Sequence, residues 1–239
     1  MELARKAGAA VFAITADETS PLATGADMAV NLPFAFDRAI CQTRNVSCFY
    51  TAFIYLTALL AGDEALLKEL SAMVAELPQV FESAKAPLEE LAYAREWGNV
   101  FVLSDGATAG LGAEAALAFC EIAQVGAVHQ HLLDVRHGPM VLARPHTMVL
   151  ALSHQADNSY LPPLIADFVG EGHGCGLALI APAGAPAMGE TKRITIPERN
   201  QTVAGLALIA CAQWLALQLA YARKHDPDKP DGLSAWIKL

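Results

Sequence analysis

Apolar and polar positions along the chain follow two rhythms. Short apolar runs bounded by Gly, Pro, Asp and Ser fit strands, and longer stretches with apolar residues three or four apart fit helices. Glu2–Ala7 reads as the last turns of a helix, stopped by Gly8. Ala9–Thr15 is a strand, Asp17–Ser20 with Pro21 turns into a brief helix, and Asp27–Leu32 is a second strand closed by Pro33. Arg38–Ala61 predicts a long helix. Asp63–Ala94 predicts helices interrupted at Pro78 and Pro87, with Leu66, Leu67, Leu70, Met73 and Leu77 at helical spacing.

From Asn99 strands and helices alternate again. Strands are expected at Val100–Leu103, Val125–His129, Thr147–Ser153, Gly176–Ala181 and Arg193–Ile196. Helices are expected at Thr108–Ile122, Leu161–Glu171 and Thr202–Arg223, with a helical turn at Leu132–His137. This alternation implies an α/β fold with a parallel sheet flanked by helices. The order within Asn99–Arg199 repeats the one in Ala9–Leu32, so two similar units are expected. The chain opens inside a helix with no strand before it, so the first unit reads as incomplete, as if cut. The expected division is residues 1–62 for the end of the first unit, 63–98 for a helical linker and 99–239 for the second unit.

Composition narrows the class. The 239 residues suffice for a sizeable core, and 54% are hydrophobic. Mean hydropathy is +0.33, so a membrane span has to be weighed. The longest apolar stretch, Val203–Ala222, carries Gln213 and Gln218 and no basic residue directly before it. It reads as a helix buried on most sides rather than as a span. A net charge of −9 disfavours nucleic acid. The five cysteines are scattered and form no CxxC pair, so neither a disulfide framework nor a zinc site is signalled, and a reducing cytoplasm is expected. No cofactor is implied.

The candidate chemistry sits between Gly106 and Leu142. Glu114 and Glu121 are seven residues apart, nearly two helical turns, so both project from one face. Gly112, Ala113, Ala115, Ala116 and Ala118 keep that helix slim enough for close packing. A carboxylate on such a helix, followed by His137 at a chain reversal, fits proton-transfer chemistry. The plainer alternative is a solvated helix residue and a surface histidine. Thr43, Arg44, Asn45 and Ser47 at a helix start serve either as caps or as an anion site. Ser104, Asp105 and Gly106 end a strand, where open α/β sheets bind ligands, though a plain turn fits too. His129 and His131 alternate as metal ligands can, but no third ligand accompanies them, and no metal is expected. Gly172–Gly176 resembles a phosphate loop in composition but follows a helix and precedes a strand, the reverse of that motif's order.

The line VFAIT…SPLA…AD…NLP, then CQTR, then VFVLSDG…GLGAEAALAFCEI…RHGPMVL, resembles the tandem sugar isomerase (SIS) domain family. Relatives there include the isomerase half of glucosamine-6-phosphate synthase and the aminosugar- or fructosamine-phosphate deaminases and deglycases. The resemblance implies two flavodoxin-like units and a homodimer with the active site between subunits. It implies that Glu121 moves a proton between C1 and C2 of an open-chain sugar phosphate. His137, sixteen residues on, would assist ring opening from the neighbouring subunit. Glu114 matches a second carboxylate, and Gln42 and Thr43 fall where the synthase has a Ser-Thr pair lining the sugar.

Three departures mark the chain. Ala118 stands where the synthase pattern has a Lys one turn before the Glu. Ser234-Ala235 replaces the Ala-Lys of its tail, with Lys238 out of register. The Ser-rich phosphate loop, expected about two dozen residues before Val11, has no room ahead of it and is expected upstream of a shortened chain. Aldose–ketose isomerisation with deamination or deglycation is therefore the first expectation. A non-catalytic phosphosugar-binding module or an inactive truncated product is the alternative.

Overall fold

In the computed structural model, which describes residues 1–170, 173–185 and 191–234, the chain forms two parallel sheets bridged by helices. The expected helix end at Glu171, Gly172 of the Gly-rich turn, Ala235 and Lys238 lie outside the described residues.

The first sheet is small. Helix α1 (Glu2–Lys6) stops at Gly8, whose φ of +77° suits a residue without a side chain. Strand β1 (Phe12–Thr15) pairs in parallel with β2 (Met28–Asn31), joined by helix α2 (Pro21–Gly25). The Ser20 hydroxyl caps α2 by accepting from the Ala23 N–H, and Pro21 opens the first turn, as the sequence predicts. Every residue of β2 is exposed.

Helix α3 (Thr43–Ala61) follows. It begins five residues later than the expected Arg38, because the Asp37 carboxylate accepts from the Ala39 N–H and bends the chain there. Helix α4 (Glu64–Tyr93) is a single 30-residue helix with Pro78 and Pro87 inside it. The expected interruptions do not occur. Each proline forfeits one ladder hydrogen bond, at a cost of about 3 kcal/mol, but α4 lies along the last helix of the chain and against the sheet, and that packing overrides the local preference.

The second sheet has five parallel strands: β3 (Asn99–Leu103), β4 (Gly126–Gln130), β5 (Thr147–Leu152), β6 (Gly176–Pro182) and β7 (Lys192–Ile196). Their spatial order is β4-β3-β5-β6-β7, the flavodoxin-like order. Helix α5 (Ala109–Ile122) joins β3 to β4, α6 (Leu161–Val169) joins β5 to β6, and α7 (Gln201–Ala222) closes the chain. Alternate strand residues divide between two cores. Val100, Val102, Met148, Leu150, Ala178 and Ile180 face α4, α5 and α7. Phe101, Leu103, Val149, Ala151, Leu177 and Leu179 face α6. β5 is buried at all six positions, which is why its sequence reads as an unbroken apolar run.

Among the described residues α7 is the one helix long and apolar enough to cross a membrane, and most of it is buried inside the fold against α3, α4 and α5. A methyl group on Gly205 would collide with Tyr50 of α3 and Leu111 of α5, so the three helices meet at that glycine. Glu76 and Glu69 of α4 fix the entry to α7: the first pairs with Arg199 at 2.7 Å and the second accepts from the Asn200 N–H at 2.6 Å.

Candidate active site

Helix α5 leaves the carboxyl end of β3 through a tight turn at Gly106, where φ is +56°, and runs back along the sheet. It lies very close to it. A Cβ on Gly112 would overlap the Ser104 hydroxyl and stand 2.5 Å from His129 Cδ2, so only glycine lets the helix settle at that depth. The slim face the sequence predicts is thus the face against the sheet, with Ala115, Ala116 and Phe119 buried.

The opposite face carries the carboxylates. Glu114 and Glu121, with Leu117 and Ala118 between them, line a cavity of about 270 Å³. Its other wall is the first turn of α3 and the residues before it, including Cys41, Gln42, Thr43 and Asn45. The structure therefore brings Glu114, Glu121, Gln42 and Thr43 together. Both carboxylates are half-buried. Burial and the neighbouring Glu121 charge raise the pKa of Glu114 above its ordinary value. The N-cap residue of α3, Gln42, makes no capping bond; its side-chain oxygen accepts from Asn45 Nδ2 instead. Ala118, where the synthase pattern has a Lys, opens into this cavity.

Cys41 was not singled out in the sequence. Its thiol is buried in the α3-side wall, close enough to the Glu121 carboxylate to feel its charge. Burial first, then Glu121, pushes its pKa up to about 11. A cysteine inside a CQTR segment gives no local signal of this; only the packing of α3 on α5 does.

Two predicted residues lie elsewhere. His137 is exposed on a 3-10 turn, Asp134–His137, beyond the carboxyl end of β4. Glu121 is at the end of α5, near the start of β4, so in one chain the strand's length, roughly 15 Å, separates their levels. The turn is pinned by Arg136 to Asp167 at 2.7 Å. Ser104 is fully buried, donates to the Thr108 carbonyl at 3.1 Å and accepts from His129 Nε2 at 2.9 Å. The same Nε2 lies 3.2 Å from the Ser104 carbonyl, which can only accept, so Nε2 carries the proton. His131 turns to Asp105 instead, at 2.9 Å. Among the described residues no group of three His, Cys, Asp or Glu side chains is placed to hold a metal ion. Asp105, Ser153 and His154 line a separate crevice of about 410 Å³ at the carboxyl ends of β3 and β5, where the strand order reverses.

No family model matches the chain. In sequence it is 27% identical over 232 residues to a glutamine–fructose-6-phosphate aminotransferase (isomerizing) of Oceanobacillus iheyensis, a match covering 92% of this chain. The corresponding enzyme of Thermococcus kodakarensis is 23% identical over the whole chain. In fold, the C-terminal domain of glucosamine-fructose-6-phosphate aminotransferase from Francisella tularensis superimposes with a TM-score of 0.82 at 17% identity, over 96% of this chain and 68% of that one. The chain resembles the tandem sugar isomerase family in sequence and shares its fold. Within that family a glucosamine-6-phosphate deaminase from Thermotoga maritima gives a TM-score of 0.80 at 21% identity, over 100% of this chain and 70% of that one. The chain spans 37% and 41% of the length of the two curated relatives.

Proposed function

We propose that the chain acts on the open-chain form of an amino sugar or fructosamine 6-phosphate, with Glu121 as the base. The observation that carries this reading is the cavity in which Glu114 and Glu121 of α5 face the first turn of α3. The relatives' names, glucosamine-6-phosphate deaminase and the isomerizing aminotransferase, support a phosphosugar substrate. Glu121 takes the proton from the carbon beside the carbonyl or imine, which gives an enolamine, and returns a proton to the neighbouring carbon. The imine so formed adds water and releases the nitrogen as ammonia or amine. Glu114, whose pKa is raised by burial and by the Glu121 charge, hydrogen-bonds a substrate oxygen. Gln42 and Thr43 hold sugar hydroxyls.

The level of His137, roughly a strand's length from that of Glu121, supports assigning it to the site of a second copy in a homodimer. Exposed apolar side chains on α3, such as Phe53 and Leu60, support a covered face. The five free cysteines support a cytoplasmic setting. Ala118 in place of a Lys favours one competing reading, a module that binds a sugar phosphate without turning it over.

The test is turnover of glucosamine 6-phosphate and of fructosamine 6-phosphates by the protein and by Glu121→Gln. The expected loss is about 10²–10⁴-fold, the usual worth of a general base. Undiminished turnover in the variant would remove Glu121 from the mechanism. Saturable stabilisation by the sugar phosphate without turnover in either protein favours the binding module. Mixing Glu121→Gln with His137→Ala separates shared sites from self-contained ones, since only shared sites regain activity in the mixed dimer.

A further inference from the structure

A second chamber, of about 450 Å³, adjoins the Glu121 cavity and shares Cys41, Thr43 and Ile122 with it. It lies between the residues before α3, the middle of α7 and the segment after α7. Its lining combines charged side chains with two orphaned donors. Gln213 is only 9% exposed. Its Oε1 accepts from the Ser47 hydroxyl at 3.5 Å, which leaves its NH₂ as the free end, and that Nε2 has no partner. The next residue, Trp214, likewise has a buried, unpartnered Nε1. Among the described residues, six buried side-chain nitrogen or oxygen atoms lack a partner, and three are arginine Nε atoms. The other three are Gln213 Nε2, Trp214 Nε1 and Asn45 Oδ1, and all belong to residues lining these two cavities.

Buried donors without acceptors are rare because each forfeits its bonds to water. Gln213 and Trp214 of α7 both line this chamber, and each carries one such donor. Charge supplies the rest of the pattern. Asp37, Arg44 and Asp228 also line the chamber, and among the ion pairs of the described residues none joins two of these three. Among the described residues, Arg44 donates to the Phe36 carbonyl and Asp37 accepts from the Ala39 N–H. A ligand complementary to this wall carries a carboxylate for the Gln213, Trp214 and Arg44 donors and an ammonium for Asp37 and Asp228.

We propose that this chamber binds the α-ammonium carboxylate of an amino acid beside the sugar cavity. The amino acid is either free or attached through nitrogen to the sugar phosphate. In the attached case the proposal rests on the function proposed above; free amino-acid binding does not.

The standard L-α-amino acids are titrated singly against the full chain by calorimetry. N-Acetyl-L-alanine and L-alanine amide serve as probes that each lack one charge. At least one amino acid binds with a Kd below about 10 mM, and the one-charge probes bind at least about tenfold more weakly, a difference of one charge-assisted contact. Asp37→Asn and Gln213→Leu each weaken binding by a similar factor, and Asp37→Asn, which keeps an acceptor for the Ala39 N–H, keeps the melting temperature of the unliganded protein. The attached source is tested with fructosamine 6-phosphate bearing N-linked alanine. There Asp37→Asn raises KM for the conjugate and leaves KM for glucosamine 6-phosphate unchanged. Amino-acid binding without any sugar-phosphate turnover would support the chamber and refute the proposed function. Turnover of glucosamine 6-phosphate with no binding of amino acid or conjugate, or binding equal in both variants, would overturn the chamber.

Discussion

Gly112→Ala isolates the contact that sets the depth of α5. The added methyl group overlaps the Ser104 hydroxyl and meets His129 at 2.5 Å from Cδ2 and 2.9 Å from Nε2. Neither neighbour can simply swing aside. Ser104 is fully buried and bonded to Thr108, and His129 is held on the same serine. Alanine gains about 1 kcal/mol of helix propensity over glycine. Against this stand about 1–3 kcal/mol for overpacking and about 1 kcal/mol if the Ser104–His129 bond breaks. The net expectation is a loss of about 1–3 kcal/mol, or a fall in melting temperature of roughly 2–12 °C for a chain of this size. Urea denaturation monitored by circular dichroism gives the free energy directly. Adding Ser104→Ala removes one of the two collisions and should recover part of the loss, a coupling that a double-mutant cycle reads. A Gly112→Ala protein as stable as the parent or more so would show that α5 does not sit where this account needs it.

Two further outcomes follow from the same cavity. Burial and Glu121 raise the pKa of Glu114, so its contribution to stability is fully present below its unfolded value of 4.5 and is lost as pH rises through the raised folded value. Glu114→Gln should therefore gain on the parent between pH 4.5 and neutrality in a series of denaturation curves, and a constant difference across that range would contradict the burial. The Cys41 thiol, pushed up to about 11, should resist iodoacetamide at neutral pH and react with a midpoint near that value, as followed by mass spectrometry. Glu121→Gln should lower the midpoint while burial keeps it above that of a free thiol, and an unchanged midpoint would deny the contact between the two side chains.

The strands were legible because each is short and bounded by turn residues, and because the central ones, β3, β5 and β6, are buried on both faces and leave no alternation to misread. The pairing of Glu114 with Glu121 was legible from helical period alone. α4 was not, since two prolines argue locally for breaks and only its bed along α7 holds it straight. The start of α3 was placed too early for the opposite reason: Asp37 makes a local turn that no apolar spacing reveals. Gln213 did leave a trace, as an amide within an otherwise apolar helix. What it faces depends on α3, α7 and the segment after α7 converging, and that is a long-range fact. The contact of Cys41 with Glu121 depends on the same kind of convergence.

The central claim is that the Glu121 carboxylate moves a carbon-bound proton, and solvent exchange reads that step without reference to what leaves the sugar. Glucosamine 6-phosphate and fructosamine 6-phosphate are incubated with the protein in D₂O, and deuterium at C1 and C2 is followed by proton NMR. The account predicts incorporation at one of these carbons in the parent protein and its loss, by about 10²-fold or more, in a folded Glu121→Gln variant. Incorporation at the parent rate in that variant would contradict it.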